Sequence, residues 1–286
     1  MLAQTYALIT SIMFALNLVI MRRSLLSSGV YLGVFFSLII GSLFFLISSL
    51  LTGEIANIYV ISDSILLFVL AGLFHFVIGR SLLYSAISTA GSNISTPITT
   101  LNHVYAALIG ILFLGESREP IAYLGLFLIA IGIIVLGRFS FSMNRRRGFY
   151  LALAASLFYA LTHILIKLGL RYSHTPILGA FISYIAALFV YFFLYGKYFL
   201  KDVSNTDRKA LSYLIIAGIL VNIGQLFRYL ALNVGDVSLV TPIFSTIPLF
   251  TLLFSFILNR RLEYFAFKVV ASSIIIVCGI TLIQMA

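Results

Sequence analysis

The chain has 286 residues, 62% of them hydrophobic and 9% charged, where a soluble chain carries about 25% charged residues. Folded chains leave a large share of their surface exposed, so no soluble core of this length hides so much apolar surface and lipid must be the main solvent. Long, non-alternating apolar runs exclude a β-barrel, and the net charge of +10 lies mostly in short gaps between those runs, a topology signal and not a nucleic-acid surface.

A membrane span needs about 20 mainly apolar residues. The N-terminal MLAQTYALIT lacks a basic leader and no A-x-A site follows it, so it reads as a retained first span. Span one (3–21) carries Asn17 and ends at Arg22; span two is 30–51. Span three (65–88) holds His75, Arg80 and Tyr84, the last two in VIGRSLLYSA. Span four (92–114) holds Pro97, Asn102 and His103, and span five is 120–137. Span six (148–167) holds His163 and ends at Lys167; span seven is 176–196. Span eight (210–232) contains GQLFRYLAL, with Asn222 a turn earlier and then Gln225, Arg228 and Tyr229. Span nine (237–258) carries Pro242 and Pro248, and span ten (264–284) carries the single cysteine, Cys278. One cysteine allows neither an internal disulfide nor a cysteine metal site, and no metal or cofactor is expected.

The chain repeats itself. A shift of 145 residues sets Ala7, Ser11, Ala15 and Leu16 on Ala152, Ser156, Ala160 and Leu161, Arg22 on Lys167, and Gly79, Tyr84 and Ala86 on Gly224, Tyr229 and Ala231. The same shift sets Thr96-Pro97-Ile98 on Thr241-Pro242-Ile243. A shift of 146 matches Leu32-Gly33 with Leu178-Gly179 and Ala71-Gly72 with Ala217-Gly218; a shift of 147 matches Glu116 with Glu263 and Gly132 with Gly279. Five spans is an odd number, so two such halves in one chain lie in opposite orientations. The expected fold is an all-α membrane protein of ten transmembrane helices in two inverted five-helix repeats: 1–138, a basic linker 139–147, and 148–286. Inverted repeats are the architecture of many secondary transporters, with the solute site at the midplane between the halves.

With LGE (114–116) after span four, RLE (261–263) after span nine, and Tyr84-Ser85-Ala86 and Tyr229-Leu230-Ala231 ending spans three and eight, the chain resembles the EamA-type transporters of the drug/metabolite transporter superfamily. The resemblance covers essentially the whole chain. It implies a cavity lined mainly by spans 1, 3, 4, 6, 8 and 9, with spans 5 and 10 peripheral, and export or exchange of metabolites. The family often has a proline about 13 residues before the glutamate of span four, where this chain has His103.

A central arginine costs at least about 2.5 kcal/mol to insert, so such residues usually face a bundle interior and mark a pathway. Arg80 and Arg228 are the leading solute-binding candidates, with His75, Tyr84, Gln225 and Tyr229 beside them and Asn17, Asn102, His103 and His163 as further interior groups. The i, i+4 spacing predicts Tyr84 stacked over Arg80. Two guanidinium forks suit a carboxylate or phosphate. Among the histidines, His103 is the best proton-coupling candidate. Arg22 and Lys167 read as snorkelling span-end charges, and Glu116 and Glu263 as pins for the helix that follows each. No Asp or Glu lies deep in a span, which argues against cationic drugs, and the absence of Walker A, H-E-x-x-H and G-x-S-x-G argues against a pump or an enzyme.

The expected function is a secondary transporter of a small carboxylate- or anion-bearing metabolite in the cell (plasma or inner) membrane; a lipid-headgroup flippase and a non-transporting scaffold stay open. Expected partners are the solute and the bilayer, with no nucleic acid; a homodimer is left open. Of the 18 Lys and Arg residues, only Arg118, Lys167 and Arg171 fall in the gaps on the N-terminal side of the membrane, Arg80 and Arg228 lie within spans, and the rest share the opposite side. The positive-inside rule therefore favours both termini outside, whereas many family members look N-in.

Overall fold

In a computed structural model of the chain, the described residues are 1–57, 59, 62–105, 119–138, 143–235, 240 and 243–285. They fold as helices, with no strand among them. In chain order these are α1 (Leu2–Ser24), α2 (Val30–Leu51), α3 (Ile65–Ala90), α4 (Ser92–Thr99), α5 (Pro120–Arg138), α6 (Met143–Ser173), α7 (Pro176–Asn205), α8 (Arg208–Val234), α9 (Ile247–Leu258) and α10 (Phe267–Met285). Six of them, α1, α2, α3, α6, α7 and α8, contain stretches long and apolar enough to cross a membrane; α5, α9 and α10 are shorter apolar helices. The basic linker is partly helical, because Arg145, Arg146 and Arg147 lie in the first turns of α6. Glu116, Arg118, Thr241 and Pro242 lie outside the described residues.

Helix packing follows the repeat. Helix α1 packs on α8, and α6 packs on α3; α1 meets α9, and α6 meets α4; α2 meets α8, and α7 meets α3. Helix α2 also packs on α7, and α5 on α10. Exchanging each helix with the one five places on maps these contacts onto themselves. Helices α5 and α10 approach through glycine: a Cβ at Gly125 would meet the Gly279 carbonyl at 2.5 Å, and one at Gly279 would meet the Gly125 carbonyl at 2.7 Å. Lipid supplies no hydrophobic force between helices, so small residues that bring backbones together are what hold such a pair.

Helix α3 breaks the symmetry. It is α-helical over Ile65–Gly72, a π-helix over Leu73–Arg80, and α-helical again over Ser81–Ala90. Its counterpart α8 is α-helical throughout. The repeat register records the cause: Gly72 pairs with Gly218 and Gly79 with Gly224, so the first half has one extra residue between these glycines. A π-turn absorbs a single inserted residue without breaking the helix.

A carboxylate tied to the far half recurs at two helix starts. Glu54 accepts hydrogen bonds from the Ile177 and Leu178 N–H groups, each at 2.9 Å, and so caps α7. Burial pushes the Glu54 carboxyl above its ordinary range, and the two N–H donors pull it back. Glu263 does the same for α4, as described below.

Candidate solute site

One cavity lies among α1, α3, α4 with the residues just after it, α6, α8 and the start of α9. Helices α2, α5, α7 and α10 contribute nothing to its lining. Its volume is about 100 Å³, room for roughly three waters at ~30 Å³ each and well below the ~300–1,000 Å³ of drug-sized pockets.

Each wall is placed by local structure. On α3 the π-turn brings His75 and Arg80 to the cavity together with Leu83 and Tyr84. Helix α4 ends at Thr99, and the chain tightens through three-residue turns, with Leu101 N–H donating to Ile98 and His103 N–H to Thr100. The Pro97 carbonyl is taken by the Thr100 hydroxyl at 2.8 Å. That break delivers Thr100, Asn102 and His103 to the cavity; irregular backbone at this depth is tolerated where it lines a cavity or is buried in protein. Helix α6 supplies Tyr159 and His163, one turn apart, and α8 supplies Val221, Gln225 and Arg228 along one stripe.

Nine of the ten candidates therefore line one space: Asn17, His75, Arg80, Tyr84, Asn102, His103, His163, Gln225 and Arg228. Tyr229 does not. It is 1% exposed and buried in the helix packing. Residue 229 is about 100° round an α-helix from 228, which turns it off the 221–225–228 stripe. Asn222 also faces elsewhere, donating to the Ser37 carbonyl at 3.2 Å and the Gly218 carbonyl at 2.7 Å. Asn17 has two tasks: it lines the cavity and donates to the Ala217 carbonyl at 2.8 Å, fixing α1 to α8.

The two arginines are held differently. Arg80, 2% exposed, donates to the Ser37 hydroxyl at 2.9 Å and more weakly to the Tyr184 hydroxyl at 3.4 Å. Its guanidinium lies over the Phe76 ring at 4.5 Å, so Phe76 and not Tyr84 is its stacking partner. Both rings stand four residues from Arg80; helical side chains lean toward the N-terminus, so the guanidinium reaches back over Phe76 and away from Tyr84. The Tyr84 hydroxyl is buried without a hydrogen-bond partner.

Arg228, 3% exposed, donates to Gln225 Oε1 at 3.3 Å and to His163 Nδ1 at 3.1 Å. The Gln225 amide nitrogen is 2.9 Å from His75 Nε2, and the Asn102 amide is 3.1 Å from His163 Nε2. A guanidinium only donates. Arg228 therefore fixes the Gln225 amide with its nitrogen toward His75, and His75 accepts at Nε2 and carries its hydrogen on Nδ1. That Nδ1 is unpaired, as are Asn102 Oδ1 and Arg228 Nε. Among the described residues, the lining contains two guanidinium groups, three imidazoles and no carboxylate.

Residues that the sequence did not single out follow from the repeat. Tyr159 is the counterpart of Phe14, and both line the cavity; so do the pairs Leu18 and His163, His75 and Val221, Leu83 and Arg228, Thr99 and Phe244, Asn102 and Ile247. Only Arg80 and Gln225 form a pair polar on both sides. The cavity thus has a mainly apolar wall of Phe14 and Leu18 on α1 with Phe244 and Ile247 at the approach to α9, facing more polar walls on α3, α6, α8 and the end of α4, with Asn17 the polar residue on α1. Ser37 and Tyr184, which hold Arg80, come from α2 and α7 behind the lining.

At the far end of α1 a second polar cluster closes the bundle. Arg22 does not snorkel: it donates to the Ile87 and Ser88 carbonyls at 2.8 and 2.7 Å, and its Nε is 3.7 Å from Glu263. Glu263 accepts from the Ser92 N–H and hydroxyl, each at 2.8 Å, and from the Asn93 N–H at 3.2 Å. It therefore caps α4 of the other half and not the helix that follows it. Burial pushes the Glu263 carboxyl up, while these donors and Arg22 pull it back down. Arg23 donates to Asn259 Oδ1 at 2.6 Å and to the Leu258 carbonyl, and Asn259 donates to the Val19 carbonyl at 2.6 Å. Lys167, the repeat counterpart of Arg22, is exposed.

Residues 1–138 and 146–285 each match the model of the EamA-like transporter family. An uncharacterized protein of Methanocaldococcus jannaschii is 34% identical over 86 residues, which is 30% of this chain and 61% of that protein. A crystal structure of a protein with 16% sequence identity superposes with a TM-score of 0.67, covering 98% of this chain and 95% of the other.

Proposed function

The chain belongs to the EamA-like transporter family of the drug/metabolite transporter superfamily, and from that premise we propose that it is a secondary transporter moving a small organic anion through the central cavity by alternating access. One observation carries the anion: Arg80 and Arg228, both buried, reach a cavity whose described lining residues include no carboxylate. A buried charge without a counter-charge is strongly unfavourable. Water and a bound anion offset that cost, and the guanidinium forks bind planar oxyanions in bidentate fashion.

The unlike walls refine the class. A carboxylate or phosphate end meets Arg228, His75 and Arg80, and an apolar body rests on Phe14, Leu18, Phe244 and Ile247. The small volume favours a short-chain acid or an amino acid over a drug. Counterflow in proteoliposomes tests this: vesicles are preloaded with unlabelled anionic, zwitterionic or neutral solutes, and entry of the labelled partner is followed. Exchange confined to carboxylates or phosphates supports the reading, and exchange of neutral solutes alone sinks it.

A lipid-headgroup carrier is favoured by a different observation. An apolar groove between Met1, Gln4, Thr5 and Leu8 of the first helix and Ile243, Thr246, Leu249, Phe250 and Leu253 opens beside the cavity, and Phe244 and Ile247, which line the cavity, alternate with groove residues. Transbilayer movement of a fluorescent anionic lipid that depends on Arg80 and Arg228 would favour that carrier over a soluble solute.

A further inference from the structure

We infer that His163 is the proton-coupling group of this cavity, taking up one proton when a solute anion draws Arg228 away from its ring. The inference rests on the anion reading above and adds the coupling ion and its seat. It shifts that role from His103, the residue favoured by the sequence, to a neighbour whose ring centroid is 5.5 Å away.

The argument starts from donors and acceptors. The Arg228 Nη2 atom is 3.1 Å from His163 Nδ1 and 3.4 Å from Nε2, so Nδ1 is the nearer acceptor. A guanidinium has no acceptor and does not lose its proton in proteins, so Nδ1 must present a lone pair. The single ring hydrogen is then on Nε2, 3.1 Å from the Asn102 amide. Asn102 Oδ1 has no other partner, and with the amide turned about its axis it accepts that hydrogen. With the amide so turned, the two shorter contacts, Arg228 to Nδ1 and Nε2 to Asn102, are satisfied with His163 neutral. A second proton would have to sit on Nδ1, pointing at a cation 3.1 Å away. While Arg228 stays, that state is closed.

An anion on Arg228 removes the obstacle twice over. It draws the guanidinium off Nδ1, and it brings a negative charge beside the imidazole. The proton comes from water on the side to which the cavity is open, forms an N–H bond at Nδ1, and leaves to water when the anion departs and Arg228 returns. Linkage makes the effect reciprocal: the proton strengthens anion binding by the same factor as the anion strengthens proton binding.

The surroundings single out His163. The charged and titratable groups around it are Arg228 on α8, His103 after α4, His75 and Arg80 on α3, and Tyr159 one turn back on α6. Among the described residues, no carboxylate lines the cavity to carry the proton instead. His75 is linked to Arg228 only through Gln225. Direct contact with the anion-binding arginine is what makes protonation conditional on solute, and conditional protonation is what coupling requires.

The test uses the full-length protein in nanodiscs in weak buffer at pH 7, with sulfate, succinate and isovalerate as probes that barely buffer there. Thermal shift reports binding, and an indicator dye reports proton uptake. The expected result is that a binding anion causes uptake of close to one proton per chain, and that His163→Gln, at its own saturating anion concentration, takes up less than a tenth of a proton. Nitrogen-15 spectra of wild-type protein labelled at its four histidines place the proton without a variant: His163 Nδ1 gains a hydrogen only with anion present. Binding without proton uptake, or uptake assigned to another histidine, overturns the inference and leaves the anion site standing. If none of the three probes binds, the anion reading falls and the coupling falls with it.

Discussion

The cluster at Arg22 and the cavity at Arg80 and Arg228 bury the same kind of charge under opposite rules. Arg22 meets a carboxylate and two helix carbonyls, and the carboxylate it meets also caps a helix start. Arg80 and Arg228 meet only hydroxyls, an amide and an imidazole, and several polar atoms beside them have no partner. Where a charge only has to hold helices together, the chain supplies its opposite. Where the described residues supply no opposite charge, the proposed partner is the solute.

Four experiments break or sharpen that contrast. The largest effect belongs to Glu263→Ala, which leaves Arg22 and the start of α4 unpaired; breaking a buried pair costs about 3 kcal/mol, read as a lower Tm in detergent, with Glu263→Gln losing less because one acceptor remains. Arg80→Ala should cost roughly 2 kcal/mol of solute binding, the value of a charged hydrogen bond, or about thirtyfold in counterflow, with little change in Tm. Arg80→Lys should recover only part of that, since an ammonium is a point charge without the planar fork. Normal exchange by both variants would end the cavity's claim to differ from the Arg22 cluster. Gly91→Ala should cost about 1–2 kcal/mol in stability, because Gly91 has φ +88° and a Cβ there would come within 2.4 Å of Glu263. Smallest in energy is a test of side: a reporter at Ala286 that fluoresces only in cytoplasm should stay dark if the Arg22 cluster faces the cytoplasm, and light would reverse the orientation drawn from the charge count.

Much of this was legible in the sequence, for physical reasons. Arg80 and Arg228 stood out because a charge in an apolar run needs a cause, and His75, Asn102, His103 and His163 stood out as polar groups at membrane depth. Tyr229 lies off the cavity because residues 225, 228 and 229 share a broad arc, and the cavity uses only part of it. Ser37 and Tyr184 gave no signal, since nothing local says that α2 and α7 reach the back of Arg80. The target of Glu263 was also hidden, because a cap supplied from the other half cannot be read from neighbours in sequence. Tyr159, by contrast, was there to be found: it stands one turn before the candidate His163 on the same face of α6.

The extra residue in α3 has a consequence for the transport cycle. In a protein of two equal halves, the state open to one side is the other state with the halves exchanged, and a solute meets the same wall from either face. Here one half has a π-turn at the cavity and the other does not. Under the alternating-access reading proposed above, exchanging the halves does not interconvert the two open states, so a solute would meet a different wall on each face, while the direction of net movement stays with the gradients.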